Sequence, residues 1–173
     1  MLLSVHPLLS SNTWQVRPGT KVNFIVGGMF WTETTGTLEL TTSAIEFSAA
    51  DLSKASIKVS LVVSSINTNN AKRDEHLKNE DFFEIKKYPT IVFQSVSFRK
   101  TPDNSYVVTG KLTMKAETKS VSIPFTFSQT NNKGLFQGSF KINRMDYGVG
   151  TGYKIGIGRE VKISLTIPVE RHN

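Results

Sequence analysis

Reactive side chains are few in this chain and poorly spaced for catalysis. There is no cysteine, so thiolate nucleophiles, thiolate metal ligands and disulfides are all excluded. The three histidines are His6, His76 and His172. Two of them stand in the terminal segments, so a multi-histidine metal site would need both ends folded back onto the middle. His76 sits in a charged cluster, Arg73-Asp74-Glu75-His76-Leu77. A histidine among carboxylates can act as a general base or ligate a metal. The same spacing also describes an exposed helical turn with its own local ion pairs. No nucleophile elbow or phosphate loop is present, and no metal or cofactor is expected. Gly148-Val149-Gly150 and Gly156-Ile157-Gly158 lack the strand-turn-helix setting of a nucleotide site and read as loop flexibility. Arg144 and Asp146 are spaced either to pair and order a long loop or to hold a polar head group.

The whole chain has 173 residues, enough for one domain with a sizeable core. Hydrophobic residues make up 38% and charged residues 20%, as in a folded protein. The longest apolar run, Leu61 to Ile66, is broken by Ser64 and Ser65 and falls well short of the roughly 20 residues of a membrane helix. A net charge of +7 suits an anionic partner such as a membrane surface or a phosphate head group. The lysines are spread along the chain, so nucleic-acid binding is not expected. Residues 1–12 read as an N-terminal extension, mildly apolar but with no basic stretch and interrupted by His6 and Pro7. Residues 13–173 read as a single domain, with no repeat or linker.

Strict alternation dominates the rest. Val22, Phe24 and Val26 open the pattern; Leu38 and Leu40 follow, then Ile45 and Phe47 after an expected turn at Thr42–Ser43. Ile57 to Val63, Tyr106 to Met114, Val121 to Phe127, Phe136 to Ile142 and Val161 to Val169 continue it. Pro102-Asp103-Asn104 and Asn131-Asn132-Lys133-Gly134 supply turns. After Thr90 the inward face is ambiguous, because Val92, Val96 and Phe98 are apolar as well. Two stretches depart from the alternation. Asn70 to Glu80 predicts one short helix with Asn70 as its N-cap, and Asn143 to Gly158 predicts a long irregular connection.

About eight strands with one apolar face and a single short helix must bury that face by closing on themselves. The expectation is therefore an all-β, elongated, eight-stranded antiparallel barrel. Strands such as Glu160 to Val169 would run roughly 30 Å at about 3.3 Å per residue. A long tube lined by Phe, Leu, Ile, Val and Met suits an extended hydrocarbon; the alternative is that these side chains fill one another's space. An outer-membrane barrel with its apolar face outward is opposed by the charged helix and by Pro124 and Pro168 within strands.

The segment Arg73-Asp74-Glu75-His76-Leu77, Asp81-Phe82-Phe83, Tyr88-Pro89 and the Phe93 strand resembles the central motif of the YceI-like family. Trp14 with Val22-Asn23-Phe24, the strand Gly110-Lys111-Leu112-Thr113-Met114, and Phe140 to Gly148 extend the resemblance from about Trp14 to Val169. It implies a lipocalin-like barrel that binds a polyisoprenoid in its pore without catalysis, in a protein exported to the bacterial periplasm. One departure is Lys115-Ala116-Glu117-Thr118-Lys119, where the family usually has His-Gly-x-Thr-Lys.

The expected function is a non-catalytic binding and carrier protein for a long isoprenoid-type lipid. Expected pore-lining residues are Phe24, Phe47, Phe93, Val108, Leu112, Met114, Phe125 and Phe140. Leu77, Phe82 and Phe83 are placed near the mouth, with Arg73 and Arg144 for an anionic head group. A transient membrane-surface contact and a homodimer are compatible with this reading. The alternatives are an enzyme using His76 with Asp74 on a small hydrophobic substrate, or a packed barrel serving as a protein-interaction scaffold.

Overall fold

The computed structural model describes residues 12–171, so His6, His172 and nearly all of the expected extension lie outside the described residues. The strands are β1 (Thr13–Val16), β2 (Lys21–Gly28), β3 (Glu33–Glu46), β4 (Ser56–Asn67), β5 (Thr90–Lys100), β6 (Tyr106–Met114), β7 (Glu117–Thr130), β8 (Lys133–Asn143) and β9 (Ile157–Glu170), with one α-helix, α1 (Ala71–Lys78). From β2 to β9 each strand pairs antiparallel with the next, and β9 pairs back with β2. The result is a closed eight-stranded antiparallel barrel. The short β1 lies across one end, bonded to both β3 and β9. Lys58, Lys111, Lys141 and Lys162 are exposed on the outside, while the alternating apolar residues face inward. This is the reverse of a lipid-facing barrel.

Two β-bulges explain where the alternation changes phase. The expected turn at Thr42–Ser43 is not a turn. In β3, Leu40 pairs with Leu61 and Thr42 with Ser60, so Thr41 is an extra residue within one continuous strand. The inward parity therefore passes from Leu38 and Leu40 to Ile45 and Phe47. In β5 the extra residue is Val96, between the pairs Ser95–Gly110 and Ser97–Thr109. Val96 is 67% exposed, and the inward face moves from Ile91 and Phe93 to Phe98.

One end of the barrel is packed solid. Phe47, 1% exposed, is surrounded by the rings of Tyr106, Phe125, Phe127 and Phe136 at 5.0–5.6 Å. Trp14 donates its indole N–H to the Phe47 carbonyl at 2.9 Å and meets Phe127 edge-on. The Arg171 guanidinium lies 4.1 Å above the Trp14 ring and closes this end. Each buried ring contributes about 2–3 kcal/mol of hydrophobic stabilisation.

The helix caps as its sequence demands: the Asn70 side chain accepts from the Arg73 N–H at 2.9 Å. The connection after β8 opens with a 3-10 turn at Arg144–Tyr147 and ends in left-handed Gly148, then runs without regular structure to β9.

Candidate functional site: an apolar tube with a cationic mouth

Away from the aromatic plug, the interior is hollow. Leu38, Leu40, Val59, Leu61, Ile163 and Leu165 face inward yet are only half-buried, because empty space stands where a packed core would have partners. An inner chamber of about 140 Å³ abuts a mouth chamber of about 350 Å³, and the two share Phe24, Leu38, Ile91, Met114 and Ile163 as walls. Among the described residues, the one polar residue along the inner chamber is Gln137, exposed and on the outward parity of β8. A cavity so lined holds water poorly and hydrocarbon well.

Two glycines keep the tube open. A Cβ at Gly36 would stand 2.3 Å from the Phe24 ring, and one at Gly110 would stand 2.5 Å from the Phe93 ring. Each ring lies flat against a bare stretch of wall instead of filling the lumen.

Of the residues expected to line the pore, Phe24, Phe93, Val108, Leu112, Met114, Phe125 and Phe140 face the inner chamber. Phe47 does not; it lies beyond the floor, at the centre of the plug. Leu77, Phe82, Phe83, Arg73 and Arg144 all border the mouth chamber. Tyr153 and the wall residues Val59, Leu61 and Leu165 went unnamed in the sequence, although the alternation already placed the last three on the inward face.

The mouth is assembled from α1, the segment after it, and the connection between β8 and β9. Arg73 donates from Nε to Thr68 Oγ1 and from Nη2 to the Thr68 carbonyl, both at 2.8 Å. Asp74 accepts from the Thr68 N–H and hydroxyl, so it serves the turn before the helix and is not paired with His76. His76 instead meets Asp81 Oδ2 at 3.2 Å and the Tyr153 hydroxyl at 3.1 Å. The Phe82 ring stacks on Tyr153 and meets His76 edge-on, each at 5.1 Å. These four residues fasten the helix end to the long connection.

Arg144 is 4% exposed and donates all five of its N–H groups to backbone carbonyls of Val149, Gly150, Tyr153, Ile157 and Gly158. Among the described residues it forms no ion pair with Asp146, contrary to one expectation. An arginine has five donors in a fixed fork, and here the loop uses every one, leaving none for a ligand. Burial holds its pKa below the usual arginine range, and the positive charge of Arg159 adds to that shift. Among the described residues, no Asp or Glu stands on the wall of the mouth chamber. Arg73 and Arg144 therefore give it a positive field uncompensated by any lining carboxylate. Lys115 donates to the Gly148 carbonyl at 3.2 Å and ties the β6–β7 turn to the same loop.

A family model described as the YceI-like domain matches residues 14–169, the span of the whole barrel. The chain belongs to the YceI-like family. Relatives of this YceI-like chain include a UPF0312 protein of Azotobacter vinelandii, 28% identical over 134 residues, or 74% of this chain and 70% of the relative. A UPF0312 protein of Pseudomonas syringae pv. syringae is 30% identical over the same shares. BcnA of Burkholderia cenocepacia superposes with a TM-score of 0.80 at 26% identity, covering 86% of this chain and 95% of that one. A domain from Saccharophagus degradans, described as polyisoprenoid binding and implicated in plant cell wall breakdown, superposes with a TM-score of 0.73. It is 12% identical and covers 92% of this chain and 98% of its own, a likeness of YceI-like fold.

Proposed function

We propose that the protein binds one long apolar lipid of the isoprenoid class, tail in the inner chamber and head group at the mouth, and acts as a carrier without catalysis. The observation that carries this reading is the hollow upper barrel, whose inward Leu, Ile and Val side chains stay half-exposed inside a closed sheet. Burying one isoprene unit contributes on the order of 2 kcal/mol at about 25 cal/mol per Å2. Four units would supply about 8 kcal/mol, the scale of a micromolar dissociation constant before association costs are subtracted. The uncompensated charge of Arg73 and Arg144 favours an anionic head group. The Saccharophagus degradans domain of the same fold supports the isoprenoid class. Family membership supports a periplasmic location, where a lipid of this length needs a carrier through water.

The contacts of His76 favour fastening over general-base chemistry, because Asp81 and Tyr153 both engage its Nε2 and Phe82 packs edge-on against its ring. Leu61, half-buried on the inner wall, provides the test. Leu61→Trp should fill the inner chamber and weaken retention of a radiolabelled polyprenol at least tenfold while the barrel stays folded. Equal retention by the folded variant would contradict the tail placement.

A further inference from the structure

The hairpin between β2 and β3 displays aromatic residues where its geometry calls for glycine or asparagine. Phe30 and Trp31 occupy the two central positions of the turn with φ of 56° and 63°, and the Thr32 N–H closes it on the Met29 carbonyl at 3.3 Å. Two consecutive positive φ values mark a type I′ turn, for which Asn-Gly is the favoured pair. Both bulky side chains are thus held in a backbone region they disfavour, and neither gains burial in return: Phe30 is 86% and Trp31 101% exposed.

This tip belongs to the rim of the tube. Gly27, Gly28 and Thr32, on either side of it, line the mouth chamber together with Gly156 and Ile157 of the long connection. The Met29 N–H donates to the Gly156 carbonyl at 3.2 Å, which brings Ile155, 85% exposed, alongside Met29, 48% exposed. Lys154 and Arg159, both exposed, flank this second loop; Glu33 is the carboxylate nearest the tip in sequence. Four exposed apolar side chains with cations beside them, on a chain of net charge +7, match the chemistry of an anionic bilayer surface. Tryptophan and phenylalanine at a projecting tip suit the layer where head groups meet acyl chains.

We propose that the Phe30-Trp31 tip, with Met29 and Ile155, inserts into the interfacial layer of an anionic lipid bilayer and holds the barrel mouth against it. Loading of the tube from that bilayer rests on the ligand reading above; the docking itself does not.

The protein reports on its own docking. Trp14 is 2% exposed, so a change of tryptophan emission on adding vesicles comes from Trp31. With vesicles of phosphatidylethanolamine and phosphatidylglycerol, the emission should shift to the blue and the protein should sediment with the lipid. Phosphatidylcholine vesicles should bind at least threefold more weakly. The double variant Phe30→Asn, Trp31→Gly restores the residues this turn favours, so it should melt at or above the wild-type temperature. It should nevertheless partition to anionic vesicles at least tenfold more weakly in sedimentation. Wild-type protein that stays in the supernatant, or a variant that sediments equally, overturns the proposal. A wild-type dimer in lipid-free solution that the variant converts to a monomer also overturns it, since the patch would then face a second copy. Polyprenol binding from detergent is measured on both chains. Equal binding with lost sedimentation supports docking, whereas no binding by either chain removes the ligand reading alone.

Discussion

Arg144 shows how a residue that looks functional in sequence can work through architecture. Its five hydrogen bonds gather carbonyls from residues spread over Val149 to Gly158, so one side chain sets the shape of a connection that has no ladder of its own. Arg144→Met should cost about 3–5 kcal/mol, because the carbonyls lose a charged donor in a buried place. Chemical denaturation measures this, and a loss below about 1 kcal/mol would contradict the role. The sequence placed Arg144 in the right region and gave it the wrong partner. Asp146 is two residues away in the chain, but a guanidinium directed into the loop interior cannot also reach an exposed carboxylate. His76 and Asp74 repeat the lesson. They are two residues apart on the helix, where side chains do not face each other, and the partners His76 meets come from Asp81 and the distant Tyr153.

At the scale of elements, alternation made the strands legible and bulges limited how far it could be followed. The closed eight-stranded meander, the helix near Asn70 and the irregular segment after Asn143 are all readable from the chain. The continuity of β3 is not, because an extra Thr41 breaks the two-residue period and looks like a turn. The same device leaves the inward face after Thr90 undecided until Val96 is seen to bulge outward. Phe47 went astray for a related reason: period identifies the inward face but carries no information on depth along the tube, and the plug and the chamber have the same alternation. Deleting Val96 would leave an unbroken ladder with Phe98 still inward, opposite Val108. It should lower stability by less than about 1 kcal/mol on denaturant titration, whereas deleting Lys111 from the unbulged β6 reverses the faces of half that strand and should cost several kcal/mol. Equal effects of the two changes would contradict the register assigned to β5.

At the scale of the whole molecule, the barrel is two structures in series. The aromatic plug with β1 and Arg171 supplies packing and closes one end. The open end leaves apolar walls without partners, a loss that the plug and the closed sheet offset and that a bound lipid would offset further. Its mouth combines a positive field from Arg73 and Arg144 with an exposed apolar tip at Phe30 and Trp31. The occupant we propose for the tube is a single lipid of the isoprenoid class. Mass spectrometry of an organic extract from natively purified protein tests it most directly. About one isoprenoid-type lipid per chain is the predicted result, with a lower melting temperature after its removal. An extract free of lipid, together with added isoprenoids that neither bind nor raise the melting temperature, would contradict it.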